Sequence, residues 1–158
     1  MRLDASNTTL RSLLEELAAA RGKLAGRASM AVVELDADRG ESTPLHVHEE
    51  PEGLHVLSGA LTVFVGSDTV RLGTGETYLA PAGAPHALRV DADGTGYLAA
   101  SFVRSVDRYE SFLGAVARPR PGAREEHESD RVVELLAAAN RITVLGPPGD
   151  LPDAALAA

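Results

Sequence analysis

From Met30 to Val103 the chain reads as short β-rich runs broken by glycine turns, with nothing of helical period and helical length between them. Candidate strands occupy residues 29–36, 43–48, 53–58, 60–65, 69–72, 77–80, 86–90 and 96–103. Turn signals such as Asp38-Arg39-Gly40, Gly66-Ser67-Asp68 and Asp93-Gly94 separate them. Eight short strands at this spacing predict an all-β sandwich or barrel and count against a βαβ fold.

The flanks differ in character. Leu10, Leu13, Leu14 and Leu17 recur at i, i+3, i+4 and i+7, which predicts a helix over 7–21, with Ser6 or Asn7 as its cap and Gly22 at its stop. Beyond the strands, Tyr109, Phe112, Leu113 and Val116 mark a short amphipathic helix. Residues 118–130 are rich in Pro, Arg and Glu and read as an exposed linker. Ser129 or Asp130 then caps a helix through Ala139. Ile142 to Leu145 reads either as one added edge strand or as an extended tail. The expected organisation is an N-terminal helical segment over 1–28, a β-barrel over 29–104 and a C-terminal helical segment with tail over 105–158.

With 158 residues there is room for one domain of ordinary size. A net charge of -8 and only 4% aromatic residues argue against nucleic acid and anionic membrane surfaces as partners. There is no cysteine, so disulfides, thiolate nucleophiles and iron–sulfur clusters are excluded, and any metal must be held by nitrogen and oxygen. No apolar run approaches the length of a membrane span and no signal peptide is evident, so a cytoplasmic protein is expected.

The chemistry-bearing residues lie inside the strand region. The first block runs from Gly40 to His46-Val47-His48, then Glu52 and Gly59; the second runs from Gly75 through Pro81-Ala82-Gly83 to His86. On a strand His46 and His48 project from one face, about 7 Å apart along the backbone. Glu52 follows across a short turn, and His86 comes from a distant strand. Three imidazoles and one carboxylate converging from rigid strands suit one divalent metal ion, Fe, Mn, Ni, Co, Cu or Zn. Glu49 and Glu50 are rival carboxylates; a ligand directly after His48 has little room to turn back, which favours Glu52 and leaves the other two as a solvated rim. His55 falls one residue off the alternation of Glu52, Leu54 and Val56 and is expected on the opposite face. His127 is expected to be solvated in the linker.

These blocks resemble the two motifs of the cupin superfamily. Gly40, His46, His48, Glu52 and Gly59 match the first at every position. Gly75, Pro81, Gly83 and His86 match the second, and Val90 stands where that motif carries a non-ligand Asn. The stretches Leu54–Val63 and Gly75–His86 look most like single-domain bacterial cupins related to quercetin dioxygenases. The resemblance implies a jelly-roll barrel with flanking helices, a divalent metal on His46, His48, Glu52 and His86, and a homodimer.

It also implies that Glu52 accepts the hydroxyl proton of an organic substrate. Apolar residues expected to face inward, Leu54, Val56, Tyr78, Leu88 and Phe102, would line a pocket for a small-molecule substrate, although side chains of the same kind fill any jelly-roll core. A dioxygenase is the favoured function. A non-redox metal-dependent isomerase, cyclase or lyase, and a non-catalytic binding cup, are the alternatives, because one barrel hosts many functions.

Overall fold

In the computed structural model, residues 29–103, 106–116 and 140–152 are described, together with Glu15, Leu17, Ala19, Leu135, Ala137 and Ala138 at helical positions. The remainder of the helix expected over 7–21, the linker with His127, and most of the helix expected up to Ala139 lie outside the described residues.

The eight predicted strands are all present, with ends within two residues of those expected. Strands β1 (Ser29–Ala37), β2 (Pro44–Val47), β3 (Glu52–Ser58), β4 (Ala60–Val65), β5 (Asp68–Gly73), β6 (Thr77–Ala80), β7 (His86–Val90) and β8 (Thr95–Val103) are followed by helix α1 (Val106–Val116) and strand β9 (Thr143–Pro148). Ile142–Leu145 had two readings, edge strand or tail. The strand forms, shifted toward the C-terminus, and pairs antiparallel with β2.

The strands make two sheets, one in the order β1-β8-β3-β6 and the other β5-β4-β7-β2-β9. The chain alternates between them, β1 in the first, β2 in the second, β3 in the first, and β4 with β5 in the second before β6 returns. Every pairing is antiparallel. This is jelly-roll connectivity with one strand added beside β2.

Period-2 burial builds the interior. Along β1, Ala31, Val33, Leu35 and Ala37 are buried while Val32, Glu34 and Asp36 are exposed. The register sets Leu54 opposite Ala99 and Val56 opposite Tyr97. Leu61, Val63 and Val65 of β4 belong to the same apolar cluster, as do Val70 and Leu72 of β5. Val90, at the motif's Asn position, is 1% exposed, and its backbone N–H donates to the Glu41 carbonyl at 2.8 Å. An apolar side chain there packs in the core, so the departure from the motif costs the fold nothing.

Helix α1 buries Tyr109, Phe112 and Leu113 in the barrel's apolar cluster and exposes Asp107, Arg108, Glu110 and Ser111. Its amphipathic stripe is therefore the face that docks. Among the described residues no helix is long and apolar enough to cross a membrane.

Gly59 shows why the glycine frame is needed. Its φ is 97°, a conformation that L side chains avoid, and a Cβ built there would stand 2.9 Å from the Thr95 Cα. Gly40 also has positive φ, at 91°, but a Cβ there would meet nothing within 4 Å. Gly59→Ala is therefore expected to lose about 2–5 kcal/mol, from the dihedral penalty and the backbone clash together. Gly40→Ala should lose only about 1–2 kcal/mol. Equilibrium urea unfolding of the two variants checks the difference; equal losses would contradict it.

Candidate metal centre

His46 and His86 are direct register partners on β2 and β7, in the five-stranded sheet. Glu52 opens β3 in the facing sheet, and His48 stands one residue beyond the end of β2. The loop between β2 and β3 is tied down at both ends. The Gly83 N–H donates to the His48 carbonyl at 2.9 Å, which anchors the turn before His86 against the first histidine block. The Ser101 hydroxyl donates to the Pro51 carbonyl at 3.0 Å, which holds the residue just before Glu52.

The four side chains meet in the barrel interior. His46, His48, Glu52 and His86 are 5%, 6%, 5% and 3% exposed, and their ligand atoms all lie within 4.8 Å of one another. The ring centroids of His46 and His86 are 4.3 Å apart, and those of His48 and His86 4.8 Å. Phe112 of α1 meets the His46 ring edge-on at 6.2 Å, closing one side with an aromatic wall.

Each imidazole is oriented by its own local backbone. The Nδ1 of His46 lies 2.7 Å from the Pro44 carbonyl, that of His48 2.6 Å from the Glu50 carbonyl, and that of His86 2.8 Å from the Ala84 carbonyl. A carbonyl only accepts, so all three Nδ1 atoms carry the proton and donate. In the neutral tautomer the Nε2 lone pairs are then left for the interior, as metal-binding histidines require.

The electrostatics fit the same reading. Burial, aided by the neighbouring His86, pushes the His46 pKa down to about 3, and burial likewise lowers that of His86. Both rings are neutral near pH 7. Burial alone would raise Glu52, but its hydrogen bond with His48 and the nearby histidines hold it at about 2. For His48 burial works downward and is outweighed by Glu52, whose Oε2 lies 3.2 Å from Nε2, so its pKa is raised. The His86 Nε2 is buried with no partner among the described residues, an orphaned lone pair at the cluster. An N₃O donor set of two neutral imidazoles, one imidazole that holds a displaceable proton, and a carboxylate could hold a divalent metal ion.

A cavity of about 390 Å³, part of it open to solvent, lies beside the cluster and is bordered by His48, Glu50, Tyr109, Asn140, Arg141 and Ile142. Residues Ser101–Val103 of β8 complete its wall. Of the five expected pocket residues, Phe102 alone borders this cavity. Ser101 pairs with Glu52, so the pleat sets Phe102 on the sheet face opposite the cluster and not inward as expected. Leu54, Val56, Tyr78 and Leu88 are buried in the apolar core.

Glu49 is exposed, as expected. Glu50 is half-buried, borders the cavity and supplies the carbonyl that orients His48, a role that no side-chain motif encodes. His55 bonds Thr77 Oγ1 at 2.8 Å and takes no part in the cluster.

Tyr109 marked a helix face in the sequence, and its second role is visible only after docking. Its hydroxyl is buried and makes no hydrogen bond of normal geometry among the described residues. Burial and the Glu52 charge push its pKa well above the usual phenol range, so it remains an O–H donor. Arg141 has φ of 58°, the one positive value outside glycine among the described residues. It ends a helical stretch in which the Ile142 N–H returns to the Ala137 carbonyl at 2.8 Å, the 6→1 bond of a Schellman turn. An Asn-Arg pair at such a stop carries no glycine signal, although the helix end expected at Ala139 falls directly before it.

Metal uptake must displace the proton shared by His48 and Glu52. At about pH 6, below the raised His48 pKa, each ion bound should release about one proton. Affinity should therefore rise with pH and level off once His48 has deprotonated. Calorimetric titration with Co²⁺ in buffers of different ionisation enthalpy checks this; uptake without proton release at about pH 6 would contradict it.

Residues 33–100 match the cupin domain family. Quercetin 2,3-dioxygenase of Bacillus subtilis (strain 168) is 31% identical over 113 residues, covering 69% of this chain and 34% of the relative. The chain thus spans about a third of the length of that relative. Among solved structures, KdgF of a Halomonas species is 24% identical, with 53% of this chain and 77% of that one covered at a TM-score of 0.47. The DMSP lyase DddQ of Ruegeria pomeroyi is 28% identical, with 46% and 38% covered at a TM-score of 0.42. With the family match over 33–100, a jelly-roll topology and the His/His/Glu/His cluster in its interior, this part of the chain is a cupin domain.

Proposed function

We propose that this cupin barrel is a mononuclear divalent-metal enzyme acting on a small organic molecule, with dioxygenase chemistry favoured. The observation that carries the reading is the set of three Nδ1–carbonyl bonds, which leave three Nε2 atoms and the Glu52 carboxylate converging beside a cavity. His46, His48, Glu52 and His86 would hold the ion. When bound, the ion would supply Lewis-acid polarisation and, where redox-active, electron exchange with dioxygen. The 31% identity to quercetin 2,3-dioxygenase supports the oxidative branch.

The chain's own residues have distinct tasks. Glu52, ionised and next to the cavity wall formed by His48, takes the proton of a substrate hydroxyl. The apolar flank of α1, with Phe112 and Leu113 buried, keeps bulk water from the cluster on that side. His46 and His86 stay neutral and hold the lone-pair directions fixed.

The test is oxygen uptake by protein loaded in turn with iron, manganese, cobalt or nickel and supplied with a flavonol. Uptake that depends on both metal and flavonol is expected. Glu52→Gln should lower kcat per bound metal about 100-fold, the loss of a general base. Turnover of an organic substrate with no oxygen uptake would move the assignment to a Lewis-acid isomerase, cyclase or lyase. Metal uptake with no turnover of any kind would leave a binding cup.

A further inference from the structure

The cavity beside the cluster has a polar wall that the metal-ligand motif does not account for. Tyr109 presents a buried hydroxyl near the Glu52 carboxylate that makes no hydrogen bond of normal geometry among the described residues. Native structures rarely leave such a donor unmet, and this one borders a cavity that is partly open to solvent. Arg141 borders the same cavity and is the only arginine or lysine among the described residues that does so. Its guanidinium pairs with no carboxylate among the described residues.

The two groups are held in fixed relation. The Asn140 amide donates to the Arg108 carbonyl at 3.0 Å, which clamps the turn onto α1 between the immediate neighbours of Tyr109 and Arg141. The position of Arg141 is itself informative. Its φ of 58° suits Gly or Asn, so turn chemistry does not select an arginine there. What the site has in place of the easier residue is a cation at the cavity wall of a chain whose net charge is -8.

We infer that the cavity takes a small organic anion, a carboxylate, with its carboxylate held by Arg141 and an oxygen of the same molecule held by the Tyr109 hydroxyl. This rests on reading the cavity as the substrate pocket of the proposed enzyme. A planar guanidinium fork matches a carboxylate, and a phenol donates to an ether, carbonyl or deprotonated hydroxyl oxygen. Glu50 also borders the cavity, and its negative charge directs the anionic end of the ligand away from it and toward Arg141. Tyr109 and Arg141 act as positioning residues that set which molecule enters and how it lies.

The experiment uses benzoate and its neutral isostere benzamide as probes. Both are titrated calorimetrically into the full chain, metal-free and cobalt-loaded, for the wild type, Arg141→Gly and Tyr109→Phe. The glycine variant suits the backbone φ and keeps the turn. The wild type should bind benzoate about tenfold more tightly than benzamide, the worth of one charge-assisted contact. Arg141→Gly should abolish that preference, and Tyr109→Phe should weaken both probes while leaving cobalt content unchanged. A preference that survives in Arg141→Gly, equal binding of the two probes by the wild type, or binding of neither probe overturns the inference. Failure of the wild type to take up cobalt would instead overturn the metal reading, and the benzoate preference in the metal-free protein would still decide this one.

Discussion

A carboxylate and three imidazoles buried between two apolar sheets have to satisfy one another or a cation. In a core with the burial found here, an unpaired Glu52 charge would cost several kcal/mol, more than most single contacts contribute. The local arrangement follows from that pressure. The three Nδ1 protons go to backbone carbonyls at 2.6–2.8 Å, so each ring spends its donor on the chain and turns its other nitrogen inward. His48 then shares a proton with Glu52, and His86 Nε2 is left with nothing. A divalent cation would satisfy all four groups at once.

The barrel supplies the stiffness that this arrangement needs. His46 and His86 are fixed by direct strand register, and Glu52 by pairing with both β6 and β8. Gly59 lets the chain pass over Thr95 where any side chain would strike backbone. The second half of the site comes from outside the barrel. Helix α1 and the turn at Asn140 are clamped by one amide bond, and together they add Tyr109, Arg141 and Ile142 to the wall of the cavity. Ligand-binding atoms thus come from the jelly roll, and polar groups suited to recognising a substrate come from the C-terminal segment.

How much of this was legible in sequence depends on which physical signal carried it. Strand ends were legible because glycine, proline and aspartate at the turns leave few conformations open. The four cluster residues were legible because alternation and spacing bring them to one interior point. Glu50 was not, since its contribution is a backbone carbonyl and any residue type offers one. Leu54, Val56, Tyr78 and Leu88 could not be told from core filling because apolar pocket lining and apolar core use the same side chains, and in the structure they are core. Phe102 was misplaced by one step of the pleat, on a β8 whose residues are buried on both faces from Ala99 to Phe102 and so show no alternation to read. Tyr109 and Arg141 lie 57 and 89 positions beyond Glu52, and only the docking of α1 and its turn brings them beside it.

Four buried side chains on a barrel with its own apolar core could hold one metal ion. Elemental analysis of protein purified without chelator, for the wild type and for His86→Ala, tests it most directly when paired with far-UV circular dichroism. The wild type should carry about one divalent ion per chain, and His86→Ala should lose metal sharply with an unchanged strand spectrum, because the core is independent of the ligands. Full metal occupancy in His86→Ala would contradict it.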